Sequence, residues 1–121
     1  MPKILIVEDE QNLIKIYNTR FIAEGWEVIS AATGQEGIIQ AQNHKPHLIL
    51  LDVMLPGGQN GFDTLEKLKR DPTTKAIPVI ILTNLDTEKE TALEIGASDY
   101  IIKTAATIDD IVSKIKSYIP Q

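Results

Sequence analysis

The stretch His47-Leu48-Ile49-Leu50-Leu51-Asp52-Val53-Met54-Leu55-Pro56-Gly57 decides how this chain is read. A continuous apolar run ends abruptly in one aspartate, and a Pro-Gly turn signal follows almost at once. A short apolar run bounded by turn signals is the pattern of a strand buried on both faces. Asp52 then stands at the carboxyl end of that strand. In an open parallel α/β sheet this is the edge where ligands and chemistry collect.

The flanking sequence repeats the theme. Lys3-Ile4-Leu5-Ile6-Val7 is a β-branched apolar run closed by Glu8-Asp9-Glu10. Leu13, Ile16, Tyr17 and Phe21 then recur at helical spacing, which predicts a helix from about Glu10 or Gln11 with Asp9 as its cap and Gly25 as its stop. Residues 26–31 alternate as a strand, and Thr33 caps a helix to about Asn43 that carries Ile38, Ile39 and Ala41 and is closed by Pro46. Beyond the Gly- and Pro-rich loop from Val53 to Asn60, a helix turns Phe62, Leu65 and Leu68 inward and ends before Asp71-Pro72. A strand over residues 78–82 runs out at Thr83, and a short helix from about Thr87 to Ile95 is capped by Gly96. The strand over residues 99–102 ends at Lys103, and Ile108, Ile111, Val112, Ile115 and Ile119 mark a closing amphipathic helix. Strand and helix alternate five times. This predicts a flavodoxin-like, doubly wound (βα)5 parallel sheet with strand order 2-1-3-4-5.

The 121 residues fit one domain with one core, so a single domain over residues 1–121 with no effector domain is expected. A hydrophobic fraction of 43% and a charged fraction of 24% are ordinary for a globular protein and argue against disordered and fibrous classes. The chain has no cysteine, which excludes disulfides, thiolate chemistry and cysteine-ligated zinc. No apolar run reaches transmembrane length and the N-terminus resembles no signal peptide, so membrane insertion is not expected and a cytoplasmic location is. The net charge of −5 argues against direct nucleic-acid binding, which needs a cationic surface.

The strand ends carry the chemistry. Strand one ends in Glu8 and Asp9, strand three in Asp52, strand four in Thr83 and strand five in Lys103. The order 2-1-3-4-5 reverses between strands one and three, so Glu8, Asp9 and Asp52 line one crevice. A like-charged carboxylate pair costs about 4 kcal/mol at contact separation near a protein surface. Such a site is tolerable only if a cation joins it or a carboxyl takes up a proton. Hard oxygen ligands without His or Cys favour Mg²⁺, with Mn²⁺ able to substitute. Lys103 and the Thr83 hydroxyl reach the crevice from the other side. A cation, an ammonium and a hydroxyl around one aspartate form a phosphoryl-stabilising set, with Asp52 as the nucleophile that becomes an acyl phosphate.

Four fragments, each at a strand end, carry a resemblance: Ile4-Leu5-Ile6-Val7-Glu8-Asp9-Glu10, Leu50-Leu51-Asp52-Val53-Met54-Leu55-Pro56-Gly57, Ile80-Ile81-Leu82-Thr83 and Gly96-Ala97-Ser98-Asp99-Tyr100-Ile101-Ile102-Lys103. In this order they resemble the receiver domain of bacterial two-component response regulators over essentially the whole chain. The resemblance implies that Asp52 is the phosphoacceptor, loaded from a phosphohistidine on a sensor histidine kinase or phosphotransfer protein. It implies that Glu8, Asp9, Asp52 and the Met54 backbone carbonyl hold the divalent ion. Thr83 matches the switch hydroxyl, Lys103 the lysine that pairs with a phosphoryl oxygen, and Tyr100 the aromatic that turns inward with the switch. The resemblance further implies output by contact with a downstream protein target, and catalysis of no reaction beyond the domain's own phosphorylation and dephosphorylation.

The sequence departs from that family's pattern in four places. The loop over residues 57–61 is about one residue longer, and the segment from Thr83 to Lys103 is shorter by roughly two. Thr104 follows the lysine where the family usually has a cis proline. A cis bond there would cost about 3 kcal/mol more than at proline, so a trans bond or a rebuilt loop is expected. Asn84 stands where a small residue is common and narrows access to the phosphoryl group.

Each residue also has a plainer reading. Asp9 could serve only as a cap, Glu8 could be a solvated acid, Thr83 could end a strand by bonding its own backbone, Lys103 could lie on the surface, and Tyr100 could be strand packing. His44 and His47 have no evident third ligand and read as surface residues. The Gly57-Gly58 pair reads as a turn, since no Lys-Ser/Thr follows it. The alternative function is a receiver-like binding module that works without phosphorylation. A flavin carrier is disfavoured because Glu8-Asp9-Glu10 would repel a phosphate. A dehalogenase-type phosphatase would want a second aspartate where Met54 stands.

Overall fold

The computed structural model of the chain describes residues 1–54 and 60–120. Strands and helices alternate along it: β1 (Lys3–Val7), α1 (Gln11–Ala23), β2 (Glu27–Ala31), α2 (Gly34–His44), β3 (Leu48–Leu51), α3 (Gly61–Arg70), β4 (Val79–Thr83), α4 (Lys89–Ile95), β5 (Asp99–Ile102) and α5 (Ile108–Lys116). The strands form one parallel sheet in the order β2-β1-β3-β4-β5, as the alternation predicts.

The two-residue period of the strands sorts their side chains into two cores. Ile4, Ile6, Leu48, Leu50, Ile80, Leu82 and Ile101 meet Tyr17 and Phe21 of α1 and Ile111, Val112 and Ile115 of α5. Leu5, Val7, Ile49, Leu51, Val79, Ile81 and Tyr100 face the other way, toward Ala41 of α2, Leu65 and Leu68 of α3 and Ala92 of α4. With helices on both sides, β1, β3 and β4 have no solvent face, which is why they read as unbroken apolar runs. Each large side chain so buried contributes about 1.5–3 kcal/mol.

Local signals set the helix ends. The side chains of Thr33, Asn60 and Thr107 accept hydrogen bonds from the backbone N–H of Glu36, Asp63 and Asp110, and Asp110 returns the bond to complete a capping box. Gly25 ends α1 with φ at +90°, a left-handed conformation that favours glycine. The turn at Pro56-Gly57, the Gly57-Gly58 reading and the longer loop lie outside the described residues.

Several expectations need correction. Asp9 does not cap α1. Glu10 occupies the cap position without a side-chain bond. Ile16 is 54% exposed and Ile39 46%. The row Leu13, Tyr17, Phe21 at four-residue spacing turns toward the sheet, and Ile16 lies one row off it. Helix α4 begins at Lys89, later than the expected Thr87, and β2 begins at Glu27 because Trp26 still donates its backbone N–H to Phe21. The Lys103–Thr104 bond is trans, as expected.

Candidate functional site

Three hydrogen bonds carry the sheet ladder one residue past its strands. The backbone N–H of Glu8 donates to Ala31 O at 2.9 Å, that of Asp52 to Val7 O at 3.0 Å, and that of Lys103 to Thr83 O at 2.8 Å. The first residue after β1, after β3 and after β5 is therefore still held by the sheet. By strand alternation Glu8 continues the row of Ile6, Asp52 that of Leu50, and Lys103 that of Ile101. All three rows face α1 and α5. The apolar run that looked like a buried strand thus also aims its terminal aspartate.

On that face the charges meet. The Lys103 ammonium donates to Asp52 Oδ2 at 2.8 Å and makes a second, shorter hydrogen bond to Glu8 Oε1. These side chains are 13%, 7% and 4% exposed, so the contact is desolvated. The other oxygens are also engaged. Asp52 Oδ1 accepts the backbone N–H of Met54 at 2.9 Å, and Glu8 Oε2 accepts those of Asp9 and Glu10 at 3.1 and 3.3 Å. Glu8, not Asp9, therefore braces the backbone that leads into α1. Burial pushes the Glu8 carboxyl above its usual range. The Lys103 hydrogen bond pulls against that shift, and the nearby Asp52 charge adds to it. Burial also opposes the Lys103 ammonium, but its hydrogen bonds to Asp52 and Glu8 win and raise its pKa.

Asp9 stays exposed at the rim, yet carboxylate oxygens of Glu8, Asp9 and Asp52 all lie within 4.8 Å of one another. The acidic cluster can hold a metal ion. All its side-chain donors are hard oxygens, the set that suits Mg²⁺ and Mn²⁺ over zinc or copper. The glycine that opens α3 belongs to the same construction. A Cβ on Gly61 would collide with Val53 Cα and lie 2.6 Å from the Asp52 carbonyl oxygen. The helix can approach the Asp52 loop this closely only because that side chain is missing.

Thr83 and Tyr100 sit on the opposite parity, among the core facing α3 and α4. Thr83 is fully buried, and its hydroxyl accepts the backbone N–H of Leu85 at 3.4 Å. Tyr100 is buried and its hydroxyl donates to the Leu85 carbonyl. The two side chains are thus joined through one residue of the loop between β4 and α4. Asn84 is exposed beside them. His44 and His47 are exposed, and His47 Nδ1 accepts the Lys3 backbone N–H at 3.0 Å.

One residue escaped the sequence reading. Tyr17 looked like an ordinary core position of α1, but it lines a narrow gap, too small to admit water, together with Glu8 and Asp52. The signal was present in the parity argument, which places Glu8 and Asp52 on the α1 face, and in the choice of a tyrosine where any apolar residue would pack.

Comparison with known proteins agrees with this geometry. A family model described as the response regulator receiver domain matches residues 4–116. The response regulator PleD of Caulobacter vibrioides is 40% identical over 112 residues, covering 91% of this chain and 24% of that protein. The phosphate regulon transcriptional regulatory protein PhoB of Rhizobium meliloti is 35% identical over 119 residues, covering 97% of this chain and 52% of that protein. The chain therefore spans between a quarter and about half of these relatives. A CheY-like response regulator receiver domain protein from Methanospirillum hungatei superposes with a TM-score of 0.88 at 31% identity, covering 97% of this chain and 92% of that one. With the sheet order, the acidic cluster at its switch point and a family match across nearly the whole length, the chain belongs to the response regulator receiver domain family.

Proposed function

We propose that this chain is a phospho-accepting receiver that takes a phosphoryl group on Asp52 in a magnesium-dependent reaction. The observation that carries the reading is the shared pocket of Glu8, Asp9 and Asp52 with Lys103 bonded across two of them. The donor is a phosphohistidine of a sensor histidine kinase or phosphotransfer protein. An Asp52 carboxylate oxygen attacks phosphorus, the N–P bond breaks, and its electron pair returns to the imidazole, which takes a proton from solvent. The backbone N–H of Met54 holds Asp52 Oδ1, which fixes the carboxylate plane. Lys103, already on Oδ2, is placed to meet a phosphoryl oxygen there. A bound Mg²⁺, held by Glu8, Asp9, Asp52 and the Met54 carbonyl, would withdraw charge from the phosphoryl oxygens. Thr83 and Tyr100 serve as the switch pair. A Thr83 hydroxyl drawn to the phosphoryl group must release the Leu85 N–H, and Tyr100 feels this through the Leu85 carbonyl.

On this reading the domain catalyses only its own phosphorylation and dephosphorylation. Its output is contact with a downstream protein, without direct binding of nucleic acid. No helix among the described residues is long and apolar enough to cross a membrane, and a cytoplasmic site of action fits a kinase-loaded switch. A second reading, a receiver that signals without phosphorylation, draws support from the Thr83 side chain, which lies on the α3 and α4 side of the sheet and accepts the Leu85 N–H.

Mass spectrometry after incubation with Mg²⁺ and acetyl phosphate separates the two. One added phosphoryl group, lost in Asp52→Asn, is expected. An unchanged mass, with amide NMR spectra that stay still on adding Mg²⁺ and beryllofluoride, would refute phosphorylation and leave the second reading.

A further inference from the structure

Tyr17 is buried among Ile6, Leu50 and Leu82, and its ring stacks on Phe21 at 5.9 Å and 8°. Helical side chains lean toward the helix N-terminus. In this fold α1 runs back along the sheet, so its N-terminus lies at the strands' carboxyl edge. The phenol therefore leans toward the acidic pocket, and Tyr17 lines one narrow gap with Glu8 and Asp52. Among the described residues no protein group hydrogen-bonds the Tyr17 hydroxyl. Burial raises its pKa, with Glu8 and Asp52 adding to the rise and Lys103 opposing it, so the group is a neutral phenol at neutral pH.

We propose that the Tyr17 hydroxyl is a positioning group for Lys103, the neutral acceptor that receives its ammonium when a cation takes over Glu8. This rests on the phosphoryl-site reading above. In the structure Lys103 spends two of its three N–H bonds on Glu8 and Asp52. A cation on the same oxygens competes for their lone pairs and repels the ammonium, which is too buried to find water freely. A carboxylate waiting on the α1 side would add another negative charge to the pocket. A rigidly packed phenol offers lone pairs without one. It holds the ammonium beside Asp52, where a phosphoryl oxygen arrives.

Tyr17→Phe keeps the ring and removes only the hydroxyl, so thermal stability without metal should not change. The Mg²⁺ dissociation constant, read from amide shifts of residues 8–10, should weaken about fivefold, the worth of one net hydrogen bond. In a Lys103→Met background the same substitution should have no effect on that constant. Tyrosine labelled with ¹³C at Cζ gives an independent signature. The resonance missing in Tyr17→Phe should move on adding Mg²⁺ to the wild type and lose most of that movement in Lys103→Met. Equal Mg²⁺ affinity with and without the hydroxyl, and a Tyr17 resonance that stays put, would overturn the role of Tyr17 alone. An equal loss in both backgrounds would overturn the assignment to Lys103. A wild type that binds no Mg²⁺ would overturn the phosphoryl-site reading and this role with it.

Discussion

Replacing Lys103 by methionine tests the electrostatics of the pocket most directly. Methionine keeps much of the aliphatic stem and removes the ammonium that hydrogen-bonds both Glu8 and Asp52. Two carboxylates at 4% and 7% exposure then face each other without a counter-charge. Removing one partner from a buried ion pair typically costs about 3–5 kcal/mol. Protonation provides a partial escape. Burial already lifts the Glu8 carboxyl above its ordinary value, and without Lys103 it must rise further. A carboxyl whose folded pKa is raised keeps a proton that the unfolded chain has given up. Its contribution to stability therefore falls as pH climbs from the unfolded value through the folded one. The penalty in Lys103→Met should be small near pH 5 and reach about 3 kcal/mol by pH 8. With a urea slope of about 1.5 kcal/mol/M, the unfolding midpoint in EDTA should drop by about 2 M at pH 8 and by much less at pH 5. Saturating Mg²⁺ should return most of the loss, because a cation bound only to the folded state stabilises it by mass action. A variant as stable as wild type at both pH values, or one weakened equally at both, would show that Lys103 does not neutralise the pocket.

Other expectations follow from single contacts. Gly61→Ala should destabilise by more than 2 kcal/mol and slow acetyl phosphate labelling, since its Cβ would drive α3 away from the Asp52 carbonyl; urea melts and mass spectrometry report both, and a neutral effect would contradict the close approach. Thr107→Ala breaks the capping box of α5 and should cost about 1 kcal/mol without altering phosphorylation. Autodephosphorylation should be slow, because Met54 is exposed and Leu85 half-buried near the expected water path, and neither supplies an acid or amide to orient a water; a purified phosphoprotein that decays within seconds would refute this. In wild type, stability that depends on the Lys103 ammonium should hold below its usual 10.5 and fade as pH rises through its elevated folded value, which an alkaline denaturation series in EDTA can follow.

Sequence legibility tracked how strongly position alone dictates environment. Interior parallel strands admit little but apolar residues, so β1, β3 and β4 and the acid that ends β1 and β3 could be read directly. Amphipathic helices were legible only to the nearest row. Ile16 is apolar, three residues from Leu13, and still exposed, because α1 presents the narrower row through Tyr17 and Phe21. Capping was less legible where acids crowd together. Asp9 had the right residue type for a cap, but α1 starts one residue later and leaves Glu10 in the cap position, while the Glu8 carboxylate holds the amides of Asp9 and Glu10 ahead of the helix. The partners of Thr83 and Tyr100 on Leu85 depend on loop backbone that no residue pattern encodes. Tyr17 hid behind its own success as a core residue.

Charge balance joins these pieces. Fully ionised, Glu8, Asp9 and Asp52 carry three negative charges, and Lys103 returns one. A divalent cation cancels the remaining two, whereas a monovalent ion leaves one uncompensated in a partly desolvated pocket. Moving a phosphoryl group onto Asp52 exchanges a singly charged carboxylate for a more highly charged acyl phosphate. On the proposed function the new charge would be carried farther from the backbone than Asp52 Oδ1, which the Met54 N–H steadies. Some positive charge has to follow it outward, and Lys103 is the one bonded to Asp52 in the structure. With Glu8 ionised, the ammonium leaves it readily only when another cation takes its place, so the proposed metal binding and Lys103 movement would be thermodynamically linked. Strengthening either must favour the other. Under the proposed function, this linkage would let a pocket crowded by its own acids work as a switch.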